Sequence, residues 1–303
     1  MFQTSLLLIA SFAGVHAMSA KAEAPAASPA DYVKSVETWR AQRVERLTAP
    51  TGWLSLIGLH WLKEGANRVG SAVDNDIVLA AGPAHFGTVT LTEGKVSIRL
   101  DPTAGALING QAGVGAQMLD DAHEVPTTVS AGTVNFYLID RNGSKGLRVK
   151  DSQAEARTHF RGIESFPIDP SWRIEATWVP FDPPHTLETP NVLGQIDSYP
   201  VPGKAVFERD GKTFELLPVI EVPGDKELFL IFADRTSGKE TYGAARFLYA
   251  PMPRDGKIVL DFNKAYNPPC AFTGFATCPL APPENRLDLR VTAGEKKYAG
   301  GPH

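Results

Sequence analysis

The sequence predicts a mostly β fold, an antiparallel sandwich or barrel-like structure with one N-terminal helix. The chain of 303 residues contains 27 glycines and 24 prolines, which favour many turns over a helical bundle. Short runs of alternating polarity recur from residue 86 onward, as expected of half-buried strands. Helical spacing extends over several turns only between residues 29 and 48.

The first 22 residues are predicted to be a signal peptide. The apolar run from Leu6 to Val15 is too short to cross a bilayer. Small residues suited to cleavage follow at Ala17 and at Ala22. A buried helix or a wrongly chosen start codon is the alternative, because neither Lys nor Arg precedes the run. We expect a periplasmic or secreted protein whose mature chain does not insert into a membrane.

Residues 23–50 are predicted to form a tether followed by the helix. Ser28 can cap a helix that begins at Pro29, and Asp31 suits its positive N-terminal end. The clustered side chains of Arg40, Arg43 and Arg46 are expected to lie on a solvated face. The positions with helical spacing are Tyr32, Val36, Trp39, Arg43 and Leu47.

Two β-rich regions are predicted to follow, residues 51–152 as a β-sandwich-like region and residues 153–303 with a proline- and cysteine-containing loop. Hairpin turns are expected at Glu93-Gly94, Asn142-Gly143 and Asp210-Gly211, where a glycine permits a positive φ. The proline-containing stretch 181–202 is expected to be irregular.

The first of these regions resembles a forkhead-associated sandwich. The resemblance lies in Asn67-Arg-Val-Gly70, Asn75-Asp-Ile-Val-Leu79, His85 and Ile108-Asn-Gly110, which occur in the order that such domains show. Those domains bind phosphothreonine through an Arg and a Ser, but Pro83-Ala84 stand where the Ser would be. The resemblance therefore implies a similar architecture without phosphopeptide binding.

A second resemblance involves almost the whole mature chain, from about Trp39 to Tyr298. The most specific part of this resemblance consists of two segments, Asn267-Pro-Pro-Cys-Ala-Phe272 and Cys278-Pro-Leu-Ala-Pro-Pro-Glu-Asn-Arg-Leu287. They resemble a widespread bacterial family described only as a domain of unknown function. The resemblance implies a shared β-rich fold and supplies neither an activity nor catalytic residues.

The two cysteines, Cys270 and Cys278, are predicted to form a disulfide, because export places them in an oxidising compartment. Free structural thiols are the alternative. Seven residues separate the cysteines and no His lies nearby, which is not a zinc-binding pattern. We expect neither a metal nor a cofactor.

Candidate site residues lie in the loops that follow the late strands. Asp234 and Asp261 each end an apolar run, and His60 could join one of them in catalysis. Arginine side chains nearby could bind an anion, whereas internal salt bridges and turn caps are the alternative interpretation. The predicted ligand-binding residues are Arg235, Thr241, Tyr242, Arg246, Asn263, Tyr266, Asn285 and Arg286.

Three functions remain open at this point. The favoured one is an extracytoplasmic protein that binds a small polar or anionic ligand. The alternatives are a hydrolase that uses an Asp/His pair and a structural or interaction protein of the envelope. The net charge of -4 and the pI of about 6.0 do not favour a nucleic-acid partner, and no nucleophile elbow, zinc-protease motif or Walker loop occurs in the sequence.

Overall fold

A computed structural model describes residues 28–301 of the chain. Antiparallel sheets and one long N-terminal helix dominate, which confirms the predicted fold class. The predicted signal peptide and most of the tether lie outside the described residues. No helix within residues 28–301 is both long and apolar enough to cross a membrane.

The elements, in chain order, are as follows. The helices are α1 (Pro29–Thr48) and α2 (Glu155–Thr158). The strands are β1 (Leu56–Trp61), β2 (Gly65–Gly70), β3 (Ile77–Val78), β4 (Gly87–Thr92), β5 (Lys95–Leu100), β6 (Leu107–Ile108), β7 (Gln111–Ala112), β8 (Gly115–Gln117), β9 (Thr128–Ala131), β10 (Val134–Arg141), β11 (Ser144–Asp151), β12 (Arg173–Pro190), β13 (Ile196–Arg209), β14 (Lys212–Leu216), β15 (Glu227–Phe232), β16 (Arg246–Pro251) and β17 (Lys257–Asp261).

Helix α1 has the predicted bounds and the predicted cap. The Ser28 hydroxyl accepts a hydrogen bond from the Asp31 backbone N–H, at 3.1 Å. Val36 and Leu47 on the helix are fully buried, as the helical spacing implies. Arg43 is buried as well, so the prediction that it lies on a solvated face is wrong.

Strands β1 to β11 form two sheets that enclose one apolar core. One sheet has the order β1-β11-β10-β9-β6-β7 and the other the order β3-β2-β4-β5-β8. The β4–β5 and β10–β11 hairpins turn at Glu93-Gly94 and Asn142-Gly143, and all four residues have positive φ. Turn chemistry thus fixes both registers. Buried side chains from both sheets, among them Phe86 and Phe136, form this core.

Strands β12 to β17 form a four-stranded sheet, with the order β14-β13-β12-β17, and a two-stranded sheet of β15 and β16. The expectation of an irregular stretch at 181–202 is wrong, because β12 and β13 pair on both sides of a break between Pro180 and His185. Pro183 and Pro184 lie within that break, where the missing backbone donors cost no ladder hydrogen bond.

The stretch that follows β17 is irregular, as predicted. It contains short 3-10 turns at Phe262–Lys264, Pro269–Ala271 and Pro283–Asn285. Its later part returns to the sheets, since Arg286 bridges Ala233 at the end of β15. The loop therefore packs between strand ends and α1.

Candidate functional site

A cavity of about 600 Å³ lies between α1 and the ends of strands β12, β15, β16 and β17. The helix contributes Trp39, Arg43 and Arg46, whose spacing places them on one face. The other wall comes from strand ends and from the loop after β17. Its side chains are Arg173, Glu227, Tyr249, Pro251, Val259, Asp261, Lys264 and Tyr266.

Tyr266 is at the centre of an aromatic wall. Its ring lies 6.2 Å from that of Trp39 and is stacked 6.3 Å from that of Tyr249. The Arg43 guanidinium is 4.7 Å from the centre of the Tyr266 ring. Burial raises the pKa of both Tyr249 and Tyr266, so both hydroxyls remain protonated at neutral pH. The Tyr249 hydroxyl donates to Glu221.

Arg43 is neutralised within the protein. Its Nε donates to the Glu295 carboxylate at 3.3 Å and its Nη2 to the Asn267 carbonyl at 2.8 Å. Burial raises the pKa of Glu295, and Arg43 opposes that rise by favouring the carboxylate. This buried pair connects α1 to the end of the described chain.

Asp261 is also held by neighbours. The Tyr32 hydroxyl of α1 donates to one carboxylate oxygen at 2.8 Å, and Lys264 lies 3.7 Å from the other. Burial, followed by this hydrogen bond, raises the pKa of Tyr32. Asp261 therefore anchors the first turn of α1 and is partly neutralised.

Arg46 and Arg173 differ from these two side chains. Within residues 28–301, no carboxylate oxygen lies within 4 Å of either guanidinium, whereas both line the cavity. An unpaired guanidinium presents planar donors that fit a carboxylate or phosphate. The cavity therefore combines an aromatic wall with two cations available to a ligand.

Of the predicted site residues, only Asp261 and Tyr266 line this cavity. Asp234 and Arg246 instead form an ion pair with fully buried side chains, 3.0 Å apart. Arg246 also donates to the carbonyls of Ala293 and Val291, at 2.6 and 3.2 Å. The Asp234 carboxylate accepts the Val291 N–H at 2.7 Å. Both charged groups thus hold the backbone of residues 291–293 in place.

The other predicted polar residues also contact the chain itself. The Thr241 hydroxyl shares a hydrogen bond with that of Thr236, and Asn285 pairs with both backbone groups of Leu217. Asn263 donates to the Tyr32 hydroxyl and pairs with the backbone of Asp169.

The three remaining ligand-binding candidates lie nearer the surface. Arg235 forms an exposed ion pair with Asp288, and Arg286 donates to the Ala281 carbonyl. The Tyr242 hydroxyl donates to the Cys270 carbonyl, and burial raises the pKa of Tyr242 to about 12. The structure does not bring these residues to the cavity.

His60 lies on β1, in the sheet formed by the first part of the chain. No hydrogen bond or ion pair joins it to Asp234 or Asp261 in the described chain. Burial lowers its pKa and favours the neutral ring. The Asp/His pair considered for a hydrolase is not assembled here, and residues 28–301 contain no cluster of His, Cys, Asp and Glu side chains suited to a metal ion.

Sequence reasoning missed nine of the eleven residues that line the cavity, and the four that matter most for a ligand are Trp39, Arg46, Arg173 and Tyr249. Only Tyr249 carried a usable signal, since it is an outward-facing aromatic at a strand position between buried Leu248 and Ala250. The other three residues reach the cavity because of the way α1 packs against the sheets, and no local sequence pattern predicts that packing.

The predicted disulfide is not present, because Cys270 and Cys278 are both free and buried. Each sulfur accepts a backbone hydrogen bond from the other cysteine, at 3.1 and 3.3 Å. Burial raises the pKa of Cys278 and keeps it a thiol. The spacing of the two residues brings them together, but it does not determine their oxidation state.

We predict that Arg246→Met lowers the free energy of unfolding by about 3–5 kcal/mol, because it leaves the Asp234 charge buried without a partner. Arg235→Met is the matched control, since it breaks an exposed pair and should cost about 1 kcal/mol or less. Urea unfolding followed by circular dichroism measures both. Equal losses in the two variants would contradict a structural role for the buried pair.

We also predict that the protein, purified and unfolded without reductant, exposes two reactive thiols per chain. Ellman's reagent counts them directly. Cys270→Ser and Cys278→Ser should each leave one thiol, which calibrates the assay. A count of zero in the unmodified protein would show that the two cysteines are oxidised.

The comparisons with known proteins concern family and fold. Residues 158–296 match the model of a family described as "Protein of unknown function (DUF1684)". No curated protein matches the chain.

Two solved structures are similar to parts of the chain. The NMR structure of an uncharacterized protein of Haloarcula marismortui is 32% identical over 46% of this chain and 78% of that one, with a TM-score of 0.39. The FHA-2 domain of a Mycobacterium tuberculosis ABC transporter is 30% identical over 29% of this chain and 77% of that one, with a TM-score of 0.21. Neither TM-score establishes a shared fold. The late-loop motifs lie within residues 158–296, and the match of these residues to the DUF1684 model confirms the predicted resemblance to a family of unknown function.

Proposed function

We propose that this protein binds a small organic anion with a planar apolar body in the cavity beside α1. One observation carries the proposal: Arg46 and Arg173 have no carboxylate partner in the described chain and line the same cavity as a wall of aromatic rings. The partner that the two cations lack is then supplied by the ligand.

The dimensions and chemistry of the cavity fit such a ligand. Its volume of about 600 Å³ is within the range of small-molecule sites. Tyr249, Tyr266 and Trp39 offer ring faces and edges for stacking against a planar group. A carboxylate or phosphate on that group would accept bidentate hydrogen bonds from a guanidinium.

Binding is favoured over hydrolysis by the composition of the cavity wall. The residues that line it include no His, Ser or Cys. Its Asp261 is committed to Tyr32 and Lys264, as described above. A general base and an activated nucleophile within hydrogen-bond reach would be needed for the proposed Asp/His mechanism.

We further propose that binding takes place outside the cytoplasm, in the periplasm or the medium. The apolar run at residues 6–15 and the small residues at Ala17 and Ala22 support this location.

The binding proposal is tested with phenyl phosphate and benzoate as probes, by isothermal titration calorimetry. Saturable binding is expected, and benzyl alcohol, which lacks the charge, should bind far more weakly. Arg46→Gln and Arg173→Gln should each weaken binding about tenfold or more, the cost of one charge-assisted hydrogen bond. Arg254→Gln, which changes an exposed arginine in the turn before β17, is the control. Affinities that are unchanged in both cavity variants would refute the site.

The location is tested by fractionating cells that express the full chain. We expect a mature form shortened by about 17 to 22 residues, as the two candidate cleavage sites imply, in the periplasmic fraction or the medium. An uncleaved chain in the cytoplasmic fraction would overturn this part of the proposal and leave the binding assay unaffected.

A further inference from the structure

Strand β11 carries two cations that have no carboxylate partner among residues 28–301. Arg148 and Lys150 are two residues apart and therefore point to the same face of the sheet. In the part of the chain that the structure describes, no ion pair involves either side chain, although twelve ion pairs join other Lys or Arg side chains to carboxylates. This pattern sets the two residues apart from the buried Arg43 and Arg246.

Arg148 is only 3% exposed, yet its guanidinium makes only long hydrogen bonds. It contacts the hydroxyls of Tyr137 and Thr277, each at 3.4 Å, and lies 5.2 Å from the Trp53 ring. Its Nε has no hydrogen-bond partner. Because arginine stays protonated in proteins, its positive charge remains uncompensated at this place.

A cavity of about 530 Å³ opens beside these residues and is lined by Lys150, Tyr137 and several short polar side chains. The strand register explains why they share one face, since directly opposed residues point the same way. Tyr137 is opposite Arg148 and Thr128, whereas Asn135 is opposite Lys150 and Ser130. Three strands thus present hydroxyls, an amide and the Lys150 ammonium to the cavity, whereas the buried Arg148 lies on the same face of the sheet without lining the cavity.

Lys150 is positioned at the wall of this cavity. Its ammonium donates to the Thr51 carbonyl at 2.6 Å and lies 5.1 Å from the Tyr137 ring. One hydrogen bond leaves two of its three N–H donors available.

We propose that this face of β9, β10 and β11 binds a small oxyanion, a sulfate- or phosphate-type group or a carboxylate. Lys150 contacts the oxyanion together with the Ser130 and Thr128 hydroxyls. Arg148 acts through the Tyr137 hydroxyl, which it orients toward the cavity, and adds a second positive charge. This site lies outside residues 158–296 and is independent of the cavity beside α1.

The site has a defined pH dependence. Burial, followed by repulsion from Arg148, lowers the pKa of Lys150 to about 8. The charged and titratable groups that face it are Arg148 on its own strand and Tyr137 on β10; the segment before β1 contributes only the Thr51 carbonyl. Lys150 is therefore a cation below about pH 8 and loses its charge above that value, so anion affinity falls as the pH rises. A bound anion moves that fall to higher pH, because it favours the charged amine.

The experiment uses the full chain carrying Arg46→Gln and Arg173→Gln, which removes the free cations of the first cavity. Sulfate is the probe, because it remains a dianion throughout the pH range, and acetate is a second probe that distinguishes carboxylates. Isothermal titration calorimetry at pH 7 and pH 9.5 should show saturable binding of at least one probe. The affinity should fall at least about tenfold at the higher pH, as expected when one charge-assisted contact is lost.

Two substitutions of Lys150 make the test specific. Lys150→Met should weaken binding at pH 7 about tenfold or more, whereas Lys150→Arg should bind almost equally at both pH values, because its guanidinium stays charged. Lys95→Met on β5 is the control and should bind as the parent chain does. Lack of saturable binding by both probes, or affinities that Lys150→Met leaves unchanged, would overturn the site. These outcomes do not bear on the binding of phenyl phosphate beside α1, which is measured in the chain that keeps Arg46 and Arg173.

Discussion

The buried pair of Arg246 and Asp234 is the constraint on which the second β-rich region depends. Arg246 begins β16, Asp234 follows β15, and both contact the backbone of residues 291–293. Because the Arg246 guanidinium is fully buried, water cannot replace these hydrogen-bond partners. Residues 291–293 must therefore follow one path across the strand ends. The Arg246 side chain also lies over the Phe232 ring, at 5.0 Å, which places the charge against the apolar core.

That path determines where α1 can dock. Glu295 lies just beyond the segment fixed by Arg246, and its carboxylate accepts from Arg43 of the helix. Tyr32 at the other end of the helix donates to Asp261 at the end of β17. These two contacts hold α1 against the strand ends and leave the cavity between them. The cavity is thus a consequence of a polar network that is itself unavailable to ligands.

The arginines of the described chain fall into two groups, those with a carboxylate partner and those without one. Arg43 and Arg246 are buried with carboxylates and stabilise the fold, whereas Arg46 and Arg173 face a cavity without such partners. Arg148, in a sheet from the other part of the chain, also has no carboxylate partner within residues 28–301. A buried cation without a partner, such as Arg148, is costly for folding, whereas the exposed Arg46 and Arg173 bear no such cost and remain accessible to an external anion.

Local sequence patterns were enough to predict the mostly β class, the bounds of α1 and the hairpin turns at Glu93, Asn142 and Asp210. These features depend on helical or strand periodicity, on a capping Ser28 and on residues that accept positive φ, all of which act within a few residues. The sequence also contains the late-loop motifs, which lie within the residues 158–296 that match the family model. The packing of distant segments, in contrast, buries Arg246, leaves Arg46 accessible at the cavity and holds the two cysteines as free thiols. Arg43 and Glu295 are 252 residues apart in the chain, and whether such groups meet depends on the packing of the entire fold.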